Sequence, residues 1–229
     1  MEKTKPAAFF DLDRTLIEEN SGKLYIQHER KHGRLSLGQV AISGFYLLMY
    51  HFSLVDIEKA YRKAAQHYTG QEDSMLRERT QTWFADEIQD LLLPGAKVAL
   101  ARHQEAGHPR VLLTSSSSYM SETVIEAWGL DDWLANHFSI DDDGLLTGEV
   151  SSPLCYGKGK VYWAEKWAER NGVDLDQSYF YTDSYSDMPM LERVEHPCVV
   201  NPDPRLRREA HIRKWPIFNW KNEEGATGF

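Results

Sequence analysis

The sequence predicts an α/β fold: an open parallel sheet flanked by helices, with a helical domain inserted near the start of the chain. Three observations lead there. Short apolar runs at 6–12, 111–113, 178–182 and 196–200 alternate with stretches of helical periodicity. Three of those runs stop at residues able to do chemistry: Asp11 and Asp13, Thr114, and Asp183. The interval between the first and second runs is also far longer than one strand-to-strand crossover requires.

Pro6 and the two aspartates bound the first run, Ala7-Ala8-Phe9-Phe10, as a short buried strand. The second, Val111-Leu112-Leu113, follows Gly107 and Pro109 and ends in Thr114-Ser115-Ser116. The third ends in Asp183, and the fourth is stopped by Asn201-Pro202. Helices are expected at 95–106, 121–128, 160–171 and 186–194, and a hairpin at 137–150 around Asp143-Gly144. A parallel crossover needs about a dozen residues, which 92–107 already supplies. Residues 18–91 are therefore surplus and read as an inserted helical cap, with helices at 24–32, 37–52, 55–68 and 74–92 punctuated by Gly33, Ser53 and Gly70. The chain divides into a core of 1–17 and 92–229 and a cap of 18–91. Tyr25, Phe45, Tyr46, Tyr50 and Phe52 read as the cap's own core rather than as substrate contacts, and the polar tail 222–229 as frayed.

Composition narrows the function. A formal charge of −9 over 229 residues argues against non-specific nucleic-acid binding, which needs a basic surface. It leaves room for an anionic ligand held by a local field. Cys155 and Cys198 form no Cys-x-x-Cys pattern and read as reduced thiols. The start, Met-Glu-Lys-Thr-Lys-Pro, has no apolar leader region. The most membrane-like stretch, 40–55, is too short to span and carries Ser43, Gly44 and His51, so no stable membrane insertion is expected. A cytoplasmic protein is the resulting expectation; oligomeric state is not legible.

Asp11 and Asp13, at i and i+2, point to one side of an extended strand's end. Two like charges there are costly unless a cation or substrate compensates them; the plain alternative is a strand end with an Asp helix cap. In an open parallel sheet, the carboxyl edge where Asp11, Asp13, Thr114 and Asp183 fall is the ligand edge. Asp11, Asp13 and Asp183 form a hard oxygen cluster suited to Mg²⁺ rather than zinc, with Asp187 placed to support it. Thr114 and the following Ser115 offer hydroxyls and helix N-terminal amides to a phosphate oxygen. Lys160 adds a positive charge, with Lys158 as its competitor. Asp141-Asp142-Asp143-Gly144 reads as a solvated turn rather than a calcium loop, and Arg205, Arg207 and Arg208 as a surface helix face.

This set, in this order, resembles the haloacid dehalogenase superfamily of aspartate-nucleophile phosphatases, over the whole chain. Its Asp-x-Asp-x-Thr motif stands here as Asp11-Leu12-Asp13-Arg14-Thr15, its strand-closing Ser/Thr as Thr114, its lysine as Lys160, and its acidic loop as 183–187. The inserted helical cap is similar to that of the phosphoserine phosphatase-like branch, with a Rossmann-like core. The chain departs from phosphoserine phosphatase itself: Ser115-Ser116 stand where that enzyme has Gly-Gly, Thr182 and Ser184 replace glycines, and Asn20 replaces a substrate-binding Glu.

The resemblance implies a Mg²⁺-dependent phosphomonoesterase acting on a small phosphorylated metabolite. Asp11 would be the nucleophile forming an aspartyl-phosphate, and Asp13 the acid/base. Thr114, Ser115 and Lys160 would bind phosphate. Asp11, the Asp13 carbonyl, Asp183 and, directly or through its neighbours, Asp187 would hold the metal. Phosphoryl transfer to another alcohol, a lipid phosphate suggested by the apolar 40–55 stretch, and a non-catalytic phosphate-binding module are the competing readings.

Overall fold

The computed structural model describes residues 5–35, 38 and 57–221. The expected helix at 37–52, with Phe45, Tyr46, Tyr50 and Phe52, lies outside the described residues, apart from position 38, as do the stretch 40–55 and the tail 222–229.

A single six-stranded parallel sheet forms the centre. Its strands are β1 (Ala8–Phe10), β2 (Arg110–Ser117), β3 (Asp132–Asn136), β6 (Tyr179–Thr182), β7 (His196–Val200) and β8 (Ile217–Phe218), in the order β3-β2-β1-β6-β7-β8. Four of these coincide with the apolar runs of the sequence. β3 and β8 do not, because both are edge strands: β3 is only partly buried over its first three residues, and β8 is two residues long. Neither needs the continuous apolar run that marks a strand covered on both faces.

Alternation along the central strands sorts side chains onto two faces. Ala8, Phe10, Leu112 and Tyr181 point into one core, and Phe9, Val111, Leu113 and Phe180 into the other. The first core is covered by α4 (Pro94–Glu105) and α5 (Ser118–Trp128), the second by α6 (Lys158–Asn171) and α8 (Pro204–Arg213). The helix expected at 186–194 shrinks to a 3₁₀ turn, Tyr185–Asp187, and one helical turn, α7 (Met188–Leu191), with a proline in its first turn.

Between β1 and α4 the chain forms α1 (Ser21–Lys31), α2 (Ile57–Gln66) and α3 (Asp73–Glu87). Core packing and backbone hydrogen bonds are among the contacts that attach this insertion to the rest. Trp83 and Phe84 of α3 are buried in the same core as Phe10 and Leu12. The hairpin β4 (Phe138–Ile140) and β5 (Leu146–Val150) reaches up to the inserted segment and binds it by backbone. Gly70 N–H donates to the Leu146 carbonyl (2.8 Å), Leu146 N–H to the Gln71 carbonyl (2.9 Å) and Asp73 N–H to the Gly144 carbonyl (3.0 Å). A Cβ on Gly148, which has a φ of +81°, would collide with Thr69, so this contact needs the glycine.

One buried titratable group sits away from the carboxyl edge. His103 of α4 shares a hydrogen bond with the Tyr181 hydroxyl (Nε2, 2.9 Å) and another with His108 (Nδ1, 3.0 Å). Burial, then His108, push its pKa from 6.5 down to about 3. A histidine depressed on folding contributes stability above its unfolded pKa and loses it as pH falls toward the folded value. Relative to His103→Gln, whose amide can keep both partners without charging, the wild type is therefore expected to lose stability as pH falls from 6.5 toward 3. Urea midpoints across that range test this; parallel curves for the two proteins would refute it.

Candidate active site

The strand order places the site. After β1 the chain moves one way to β2 and β3, and later the other way to β6, β7 and β8, so the crossovers diverge between adjacent β1 and β6. Such a switch point opens a crevice at the carboxyl ends of the two strands. Asp11 directly follows β1 and Asp183 directly follows β6. Both are 7% exposed, so the charges are set into the protein and not on its surface.

Lys160 is the cation among them. It sits in the first turn of α6, is 1% exposed, and its ammonium donates to Asp11 Oδ1 and Asp187 Oδ2, each at 2.7 Å. Lys158 is exposed on the same turn, so of the two lysines Lys160 is the one at the crevice. The approach depends on Gly159, where a Cβ would strike the Leu154 carbonyl oxygen. Asp187 Oδ2 also accepts from the Thr182 hydroxyl at 2.7 Å. Its geometry therefore supports the site through the lysine, and narrows the expectation that it reaches a metal itself.

Asp13 is held differently. The chain turns sharply after Leu12, whose carbonyl accepts from the Leu16 (2.9 Å) and Ile17 (3.2 Å) N–H groups, with Arg14 in the left-handed region at φ 58°. This returns the start of α1 to the aspartate. Ser21 N–H donates to Asp13 Oδ1 (2.7 Å), and the Asn20 side-chain amide donates to Oδ2 (3.0 Å). Asn20 also caps α1, its side-chain oxygen accepting from Lys23 N–H at 2.9 Å. The residue in the position of a substrate-binding glutamate thus faces the acid/base candidate. Nothing in the spacing of Asn20 and Asp13 signals this contact, because it exists only once α1 folds back.

Asn20→Ala is expected to cost about 1 kcal/mol of stability through the lost cap. It should also lower turnover of alkyl phosphates about tenfold more than that of p-nitrophenyl phosphate, whose leaving group needs no proton. Equal losses on both esters would leave Asn20 as a helix cap alone.

Thr114 lies inside β2, which runs on through the serines to Ser117, the N-cap of α5. It is buried, and its hydroxyl oxygen accepts from Ser116 N–H at 3.1 Å. Ser115 points elsewhere, as alternation along a strand requires: its hydroxyl donates to the Cys155 carbonyl (2.9 Å), so its side chain is committed to the fold. Thr15 is fully buried, and its hydroxyl has no hydrogen-bond partner among the described residues.

Electrostatically the crevice is short of positive charge. Burial, opposed by Lys160 and reinforced by Asp187, pushes the Asp11 carboxyl up to about 7. Desolvation also raises Asp13, and burial followed by Asp11 and Asp187 raises Asp183 well above the carboxylate range. The Asp183 carboxylate accepts no hydrogen bond among the described residues. Four carboxylates, 11, 13, 183 and 187, thus gather at the crevice with one buried ammonium, which contacts Asp11 and Asp187. No three His, Cys, Asp or Glu side chains among the described residues form a ready metal cage. The reason is visible: Asp13 is taken by Asn20 and Ser21, and Asp187 by Lys160 and Thr182. Asp183 and the second oxygen of Asp11 remain, a donor set that fits Mg²⁺, which takes one or two carboxylates and fills its shell with water and phosphate oxygens.

Known proteins resemble this chain in sequence and in fold. A probable phosphatase of Mycobacterium tuberculosis is 31% identical over 222 residues, 95% of this chain and 76% of its own length. A histidinol-phosphatase of Neisseria meningitidis is 28% identical over 224 residues, 95% of this chain and 100% of its own. A Bordetella pertussis protein of unknown function superposes with a TM-score of 0.85 at 26% identity, covering 93% of this chain and 98% of that one. A phosphoserine phosphatase solved as a phospho-aspartyl intermediate analogue shares the fold at a TM-score of 0.69 and 20% identity, over 96% of this chain and 95% of its own. The haloacid dehalogenase-like hydrolase profile matches residues 8–192, and the chain belongs to that family.

Proposed function

We propose that the protein is a Mg²⁺-dependent phosphomonoesterase that works through an aspartyl-phosphate at Asp11. The observation that carries this is the unlike treatment of two neighbouring carboxylates. Asp11 is bonded to a buried ammonium, which aims it and favours its ionised form against the burial that raises it, while Asp13 is held by neutral donors and raised by burial. One carboxylate is suited to attack and the other to carry a proton. Asp11 attacks phosphorus as Asp13 protonates the departing alcohol oxygen. Asp13 then takes a proton from water, which hydrolyses the acyl phosphate. Lys160 and Thr114 hold phosphoryl oxygens and offset the charge that develops on them. The inserted helices cover the crevice, exclude water and select the alcohol.

Asp11, Asp183 and the Asp13 carbonyl would hold the Mg²⁺. When bound, the ion offsets repulsion between these carboxylates and a phosphate and holds them in line. Mg²⁺ is expected to raise the thermal unfolding midpoint, because it binds only the folded protein, and Asp183→Asn should remove most of that rise. No Mg²⁺-dependent shift in the wild type would refute the metal assignment independently of activity. The reaction itself is tested by phosphate release from a panel of phosphorylated metabolites, with Mg²⁺ and with a chelator. Release from no member above an Asp11→Asn control would favour a phosphate-binding module instead. The relatives' names point to more than one substrate, histidinol phosphate and phosphoserine among them, so they do not choose the alcohol.

A further inference from the structure

The inserted helices, the end of β2, the start of α5 and Phe138 of β4 line a half-open cavity of about 120 Å³ beside Asp13 and Thr114. Two of its lining residues connect it to the proposed chemistry: Ser21, whose N–H donates to Asp13, and Ser116, whose N–H donates to Thr114. It therefore opens off the side where the alcohol leaves. Tyr25, Tyr68, Trp83, Tyr119 and Phe138 supply most of its wall. Their rings meet edge to face or tilted: Tyr25 on Trp83 at 5.0 Å, Tyr68 on Phe138 at 5.9 Å and Tyr119 on Phe138 at 5.7 Å. An aromatic wall of this kind favours a ring as its next neighbour.

We propose that this cavity receives a leaving group built on a single planar ring, an arylmethyl or heteroarylmethyl alcohol, a reading that rests on the phosphatase assignment above. Size is the first argument. An apolar cavity of about 150 Å³ takes one benzene ring, and 120 Å³ is the scale of a single ring. Charge is the second. No ionisable carboxylate, ammonium or guanidinium lines the cavity among the described residues. Of the nearby charges, Asp73 accepts from the Tyr119 hydroxyl (2.6 Å) and pairs with Arg77 (3.4 Å), Glu29 pairs with Arg34 (2.6 Å), and Arg79 lies against the Tyr25 hydroxyl with its Nε unpartnered among the described residues. An amino-acid zwitterion would have to bury its ammonium there without a carboxylate to meet it, since Asp73 and Glu29 are already paired. The Tyr25 hydroxyl lies beside the Tyr68 hydroxyl and Arg79, and Trp83 Nε1 beside Glu87, but none of these is an aligned hydrogen bond, which leaves polar contacts for a ring heteroatom.

The test compares kcat/KM of the full-length protein with Mg²⁺ for benzyl phosphate, 1-naphthylmethyl phosphate and O-phospho-L-serine. Benzyl phosphate is expected to exceed each of the others by at least about tenfold, the scale on which pocket fit discriminates. Leu76→Trp, which fills the cavity, should lower the benzyl-to-phosphoserine ratio about tenfold or more. Benzyl alcohol should also inhibit the wild type competitively, a readout that needs no variant to fold. A preference for phosphoserine or the naphthyl ester, or no inhibition by benzyl alcohol, would overturn the ring assignment and leave the phosphatase reading standing. Release from none of the three esters above Asp11→Asn would overturn the ring assignment, and release from no member of the metabolite panel either would overturn the phosphatase reading with it.

Discussion

Asp11→Asn is expected to lower phosphate release by at least about 10⁴-fold, because the amide is not a nucleophile and no other side chain stands in its place. The protein should remain folded. Lys160 keeps its second partner, Asp187 Oδ2 at 2.7 Å, and the asparagine oxygen can still accept from the ammonium. Removing this carboxylate also removes the charge whose burial, reinforced by Asp187, pushes Asp11 up to about 7. Stability without metal is therefore expected to hold or rise, while the Mg²⁺-induced rise in unfolding temperature shrinks. Steady-state phosphate release and thermal melts measure the two effects. A residual rate above about a hundredth of the wild type would move the nucleophile elsewhere.

Lys160→Met should damage both fold and activity. The ammonium is the one side-chain cation in contact with Asp11 and Asp187 among the described residues, and all three groups are nearly excluded from water. Removing it leaves two buried carboxylates facing each other, a loss of about 3–5 kcal/mol. Activity should fall by about 10³-fold, since the charge that positions Asp11 and meets the phosphoryl oxygens goes with it. Lys160→Met combined with Asp187→Asn separates the two: urea unfolding should recover most of the stability, and phosphate release should stay low. If the double variant regained activity, the lysine would be a structural counter-ion and nothing more.

The central strands were legible because each is covered on both faces and so carries an unbroken apolar run, with Asp11 and Asp183 just past their ends and Thr114 where the apolar run of β2 stops inside the strand. The edge strands β3 and β8 were not, since half-solvated edges need no such run. Of the proposed phosphate groups, Ser115 looked equivalent to Thr114 in a row of hydroxyls. Strand alternation separates them, sending Ser115 to the Cys155 carbonyl. Asp187 was recognised as part of the site, but its commitment to Lys160 and Thr182 depends on how α6 and the loop after β6 approach one another.

By itself the sequence determined the fold class, the edge of the sheet that carries chemistry and the residues that reach it, because these follow from local hydrophobic pattern and the period of a strand. Tertiary structure alone decided which carboxylate meets the ammonium, which is clasped by Asn20 and Ser21, and what lines the cavity beside them. Those contacts join segments up to 149 residues apart. Their energies depend on burial and distance between groups, which no local pattern encodes.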